Sequence, residues 1–154
     1  MILYADTSAL VKLVVTEEGS DTMRDAVDAS ERLTSSVLAY IELRAAMAAA
    51  FRDGRIAAKR RDDVVLALEQ LWGTVSEIAV GDPVLRSVGD MAEHHELRAC
   101  DAVHLASLSL IGHHEATTFA CWDKELRTAA RRLGFALVPG EEQQNHATRE
   151  AQTS

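Results

Sequence analysis

Residues 1–15 read MILYADTSALVKLVV. The apolar run ILYA at 2–5 is too short for a helix and stops at Asp6, where Thr7 and Ser8 offer capping oxygens ahead of a second apolar stretch. That order predicts a strand, an acidic tip and a helix. The same order recurs late in the chain. EATTFAC at 115–121 is a β-branched and aromatic run, Asp123 follows it, and residues 124–133 predict a helix that Gly134 ends. Two strands that each run into an acid and then a helix place both acids on one edge of a sheet.

The intervening sequence fits the same plan. RLTSS at 32–36 predicts a strand whose Ser35 or Ser36 caps the helix former VLAYIELRAAMAAAF, which stops near Asp53-Gly54. Residues 55–72 predict a further helix, so that the two make a helical hairpin. Residues 16–28 predict a more polar helix with Glu17 and Glu18 near its positive end. VSEIAV at 75–80 alternates partly and gives way to Gly81-Asp82-Pro83, a helix start, with the helix running to about His95. A further apolar helix spans 100–110 and closes at Gly112, and FALVP at 135–139 supplies a last strand. Alternating strands and helices predict an α/β fold, with a central, mainly parallel sheet of four to five strands and helices on both faces. Ligands of such sheets bind beyond the carboxyl ends of the strands, the edge that Asp6 and Asp123 occupy.

Composition narrows the function. The 154 residues suit one domain, expected over 1–140, followed by EEQQNHATREAQTS at 141–154, a polar tail expected to be flexible. With 16 basic against 24 acidic residues the net charge is −8, which excludes a protein that simply coats nucleic acid. A nucleic-acid role must then rest on a local basic strip or on metal ions that reverse the sign of an acidic pocket. No apolar run approaches the roughly 18 to 20 residues of a membrane span, and the start lacks a signal peptide's basic region, so a cytoplasmic protein is expected. Cys100 and Cys121 lack zinc or redox spacing and read as small buried thiols.

Two further carboxylates stand in apolar company. Glu42 lies in a predicted helix with Leu38, Ala39, Ala45 and Ala46 three and four positions away. Burying an unpaired carboxylate is costly, so something positive must face it: a metal ion or, on a structural reading, an arginine. Asp101 opens the helix DAVHLASLSL with Leu97, Leu105, Arg98 and His104 on its face. Asp101 as a helix cap and Asp6 as a cap of the first helix are the alternatives. Four acids at strand tips and on apolar helix faces together suit Mg²⁺, which takes a few carboxylates plus water and substrate phosphates. Other chemistries lack their signatures. No phosphate-binding glycine loop or G-x-S-x-G elbow occurs, and the adjacent pairs His94-His95 and His113-His114 read as surface residues, not zinc ligands. His104, one turn after Asp101, reads as a hydrogen-bonded histidine beneath the site.

The chain resembles PIN-domain proteins, and specifically VapC-type toxin ribonucleases of toxin–antitoxin pairs. MILYADTSALVKLVV resembles the family's first motif, LTSSVLAYIELRAAM the second, LRACDAVHLASL the third and TTFACWDKELRTAARRLGFALVP the fourth. The resemblance implies a PIN-like three-layer sandwich and a metal-dependent endoribonuclease. Asp6, Glu42, Asp101 and Asp123 are then its catalytic and metal-binding acids. It further implies Mg²⁺ or Mn²⁺ as cofactor, RNA as substrate, a homodimer and a VapB-type antitoxin as partner. A catalytically silent PIN module that binds RNA or a partner protein is the alternative. Many relatives carry Thr or Ser two residues before the fourth acid; here that residue is Cys121, read as a packing thiol, and its neighbour Trp122 is read as covering the sheet edge.

Arg52, Arg55, Lys59, Arg60 and Arg61 place five cations within ten residues at the turn of the predicted hairpin. Arg55, Lys59 and Arg60 are the candidates for RNA phosphate contact. The competing reading is a solvated helix face partly neutralised by Asp62 and Asp63.

Overall fold

A computed structural model describes residues 1–112 and 116–140. The expectations for the 141–154 tail and for His113 and His114 lie outside the described residues. The elements run β1 (Ile2–Ala5), α1 (Thr7–Val14), α2 (Ser20–Asp28), β2 (Arg32–Ser36), α3 (Val37–Arg52), α4 (Arg61–Trp72), β3 (Ser76–Ile78), α5 (Asp82–His95), α6 (Ala99–Ile111), β4 (Thr117–Ala120), α7 (Lys124–Arg132) and β5 (Ala136–Val138). A 3₁₀ turn, Ala58–Arg60, precedes α4.

All four strand pairings are parallel, in the order β3-β2-β1-β4-β5. The period of two in each strand sorts side chains between two cores. Leu3 and Ala5 of β1 join Leu10, Met23, Leu43, Met47, Val64 and Leu68 on the face covered by α1 to α4. Tyr4, between them in sequence, joins Leu105, Leu108, Phe119, Leu126 and Phe135 on the face covered by α6 and α7. This three-layer arrangement follows from crossover handedness. The chain steps outward from β1 to β2 to β3, then returns to the far side of β1 for β4 and β5. Right-handed connections in both directions put the two sets of helices on opposite faces. The reversal also leaves a crevice between the carboxyl ends of β1 and β4, where Ala5 pairs with Ala120 and the Asp6 N–H donates to the Ala120 carbonyl at 3.1 Å.

Two helices begin later than the sequence suggests. The helix expected from residue 16 starts at Ser20, because Glu17 is drawn away from the helix start by Lys12, whose Nζ donates to Glu17 Oε1 at 2.7 Å and to the Glu18 carbonyl at 2.8 Å. Gly19 completes this strap at φ 84°, packed so tightly on Trp122 that a Cβ would meet indole Nε1 at 2.9 Å. Lys12 sits 4.8 Å from the centroid of the same ring, so Trp122 is clamped over the sheet edge, as expected. The helix expected from residue 55 starts only at Arg61, after the 3₁₀ turn. Gly54 adopts φ 71° and the Ile56 N–H turns back to the Ala50 carbonyl, while Asp62 and Asp63 occupy the first turn, where acids favour a helix start.

Arg127 is a structural residue with no sequence signal. It is buried, and its guanidinium donates to the carbonyls of Cys121 and Pro139, each at 2.7 Å, tying the end of β4 to the end of β5.

Candidate active site

The crevice at the β1–β4 edge is built around Asp6. β1 ends there because the carboxylate caps α1, accepting the Ala9 N–H on Oδ1 at 3.0 Å. Ser8 Oγ donates to both carboxylate oxygens, at 2.7 and 3.0 Å, and itself accepts the backbone N–H of Trp122 at 2.8 Å. Cys121 Sγ lies 3.1 Å from Oδ2. The side chain is thus both a helix cap and a buried acid; the two readings of Asp6 coexist. Burial pushes its carboxyl above the usual aspartate value, and the nearby His104 and the donors from Ser8, Cys121 and Ala9 only partly offset this.

Glu42 faces the crevice from α3. Its partner is a histidine donor rather than the arginine of the structural reading. His104 Nε2 lies 2.8 Å from Glu42 Oε2, and Thr7 Oγ1 donates a short hydrogen bond to the same oxygen. Since a carboxylate only accepts, Nε2 carries the proton, and Nδ1 meets the Tyr4 hydroxyl at 3.0 Å. Burial raises the Glu42 carboxyl, but the hydrogen bonds from His104 and Thr7 outweigh it and hold the group below its usual value.

Asp101 is not a helix cap. Arg98 occupies the cap position of α6, and Asp101 is the third helical residue, buried, with Oδ2 2.8 Å from Arg98 Nε. Asp123 caps α7 through Oδ1, which accepts the N–H groups of Glu125 and Leu126, and its Oδ2 lies 3.6 Å from Arg98 Nη2. Cys121 is buried, as expected, and its thiol is pushed well up by burial and by Asp6 beside it. Cys100 is exposed, contrary to expectation, and its thiol, in the first turn of α6, is pushed up by partial burial and by Glu42, to which it hydrogen-bonds.

The four acids named from sequence therefore converge on one strand edge, from the end of β1, the middle of α3, the start of α6 and the end of β4. Cys121 lies against Asp6 and the Asp123 carbonyl, Arg98 joins Asp101 to Asp123, and His104 holds Glu42. Among the described residues no three His, Cys, Asp or Glu side chains form a ready-made metal cage. The donor set nevertheless fits a hard divalent ion. Its accessible ligands are carboxylate oxygens, its excess charge is negative, and Mg²⁺ retains several waters instead of demanding a complete protein cage. Arg55, Lys59 and Arg60 are exposed and lie elsewhere, at the far end of α3. His104 is the buried, hydrogen-bonded histidine expected from its place one turn after Asp101. Thr7 and Ser8 gave no signal beyond helix-start composition, and Arg98 only its place on the Asp101 face.

A PIN-domain profile matches residues 3–132. The chain belongs to the PIN-domain family. Among curated proteins it is 36% identical over 140 residues to "Ribonuclease VapC45" of Mycobacterium tuberculosis (strain CDC 1551 / Oshkosh), a match covering 91% of this chain and 96% of that one. It is equally similar to "Ribonuclease VapC49" of strain ATCC 25618 / H37Rv, with the same coverage. Among solved structures, PAE2754 from Pyrobaculum aerophilum superposes with TM-score 0.62 at 19% identity, covering 90% of this chain and 84% of that one. VapBC2 from Rickettsia felis, bound to a promoter DNA fragment, gives TM-score 0.63 at 12% identity, with 89% and 97% covered. These likenesses place the five-stranded parallel sheet and its flanking helices within the PIN fold. The two strands that flank the PIN crevice in this chain are β1 and β4.

Proposed function

We propose that this chain is a metal-dependent endoribonuclease and the toxin of a toxin–antitoxin pair. The observation that carries the reading is Asp6, a carboxylate buried at the strand-order reversal of a PIN fold, held by three donors and facing acids from three other elements. The resemblance to curated VapC ribonucleases over nearly their whole length supports RNA as the substrate.

Asp6, Glu42, Asp101 and Asp123 would hold Mg²⁺ or Mn²⁺, Glu42 from the α3 side of the crevice. Bound there, such an ion acidifies water and stabilises charge on a phosphodiester in hydrolysis. The chain's own contribution is positional. Ala9 N–H, Ser8 and Cys121 fix the Asp6 carboxylate, and His104 with Thr7 keeps Glu42 ionised and aimed, so that oxygen ligands are preset before substrate arrives. A homodimer and a VapB-type antitoxin belong to the same reading. An acidic crevice of this kind admits an arginine or lysine from a partner, which would pair with the ligands and block the site.

Incubation of purified protein with total RNA, in Mg²⁺, in Mn²⁺ and in EDTA, tests the reading. Cleavage in either metal and none in EDTA is expected. Cleavage that persists in EDTA, or RNA bound but left intact under all conditions, would overturn it, the second in favour of a silent binding module.

A further inference from the structure

Arg98 bridges two of the acids that the proposed activity needs. Its Nε lies 2.8 Å from Asp101 Oδ2 and its Nη2 3.6 Å from Asp123 Oδ2. The arrangement differs from an ordinary surface pair in three respects. One acid belongs to the first turn of α6 and the other to the end of β4, so a single guanidinium joins two elements. The Asp101 side chain is only 12% exposed, so its charge has little water to lean on. Asp123 spends Oδ1 on capping α7, and the oxygen it has left is the one turned to Arg98. Arg98 itself is 74% exposed along its side chain, and among the described residues its ion pairs are with these two acids.

We propose that Arg98 is the chain's own counter-cation for the metal site, holding Asp101 and Asp123 together when no metal is bound and giving way when a divalent ion enters. This rests on the metal-dependent reading of the crevice. Two carboxylates aimed at one point repel each other, and a cation between them relieves the repulsion. A planar guanidinium can serve both at once, where a lysine would offer only a point charge. The guanidinium stands in solvent and is open to screening, so a divalent ion, with twice its charge, displaces it. Because both take the same carboxylate oxygens, Arg98 competes with the ion for Asp101 and Asp123.

The test is titration of the full chain with Mn²⁺, read by the EPR signal of the free ion, for the parent, Arg98→Gln and Arg98→Lys. Arg98→Gln keeps a planar polar head and removes the charge; because the side chain is exposed, the fold survives, as circular dichroism would check. It is expected to bind Mn²⁺ roughly three- to tenfold more tightly than the parent. Added KCl should narrow the gap, since screening already weakens the competing pair. Without metal its melting temperature should fall, and at saturating Mn²⁺ it should match the parent, because there Arg98 has already been displaced. Arg98→Lys, which keeps the charge but not the two-sided head, should fall between the parent and Arg98→Gln. Unchanged or weaker Mn²⁺ binding by Arg98→Gln, in a parent that binds Mn²⁺, overturns this inference alone. A parent that binds no Mn²⁺ overturns it together with the metal-dependent reading.

Discussion

His104 Nε2 and Glu42 Oε2 are 2.8 Å apart, joining α6 to α3 across the crevice. The bond closes a chain that starts at the buried Tyr4 hydroxyl, passes through the imidazole to Glu42, and ends on Thr7. Burial pushes the Tyr4 phenol far up, so its proton stays available to His104 Nδ1. Each member satisfies its neighbour, which is what lets an ionised glutamate sit on a helix face lined by alanine and leucine.

Replacing His104 by Ala should therefore cost more than a packing defect. It strips Glu42 of a donor and leaves the Tyr4 O–H without its acceptor inside the core. The expected loss is about 2–4 kcal/mol in urea denaturation, with RNA cleavage reduced even at saturating Mg²⁺. His104→Gln, which can still donate to Glu42, should recover part of both. Full activity in His104→Ala would show that the chain is structural only.

Asp6→Asn should abolish cleavage and yet stabilise the metal-free protein at neutral pH. Burial raises the folded-state pKa of Asp6 above its unfolded value of about 3.9. The sign follows from linkage: a raised carboxyl favours the fold below the unfolded pKa and loses that advantage as pH rises through the folded value. Asn caps a helix about as well as Asp, so the α1 start is kept. In EDTA, the melting-temperature gain of Asp6→Asn should be small near pH 4 and grow toward pH 7. A variant that melts lower than the parent at pH 7, or that still cleaves RNA with Mg²⁺, contradicts this.

Most of this architecture was legible in the sequence. The strand–acid–helix runs at Asp6 and Asp123 placed both acids on the correct edge, since short apolar runs closed by capping residues leave little choice of local structure. Glu42 was found by its incongruous neighbours. Its partner was not, because His104 lies 62 residues away and a sequence shows no cross-helix pairing. The late starts of α2 and α4 were missed for a similar reason. Glu17 looked like a helix-start acid until Lys12 claimed it, and the turn at Gly54 redirects residues 55–57 through the Ile56-to-Ala50 hydrogen bond. Arg98 was read only as a neighbour of Asp101. Only the fold brings Asp123 to its other side.

Cys121→Ser should preserve cleavage and match or exceed the parent. The thiol sits 3.1 Å from Asp6 Oδ2, and burial together with Asp6 keeps it protonated. Its part is that of a weak hydrogen-bond donor in a packed site, which a serine hydroxyl fills more strongly. Cys121→Val, nearly isosteric but without a donor, should lose activity while remaining folded. Equal activity in the Val variant would reduce Cys121 to packing alone.

The basic strip offers the last test, on substrate binding and not on chemistry. Arg52, Arg55, Lys59, Arg60 and Arg61 are all exposed, and two of them have local occupations. Arg55 lies 3.3 Å from Asp53, and Arg61 stacks 4.5 Å over the Phe51 ring. An exposed pair such as Arg55–Asp53 is weak and yields to a phosphate. Arg55 and Arg60 also border a cleft of about 520 Å³ floored by Val14, Ala46, Met47 and Val64, so both cations stand at a concave, accessible edge. If Arg55, Lys59 and Arg60 track the backbone of a single strand, each contributes about 0.7 to the slope of log affinity against log salt. Replacing all three by Ala should flatten that slope by roughly two units and weaken RNA binding at low salt, with Mn²⁺ affinity unchanged. Cleavage at saturating RNA should survive, because the strip lies away from Asp6 and its partners. A salt slope that stays the same in the triple variant assigns these residues to a solvated surface and sends the search for the RNA path elsewhere on the crevice rim.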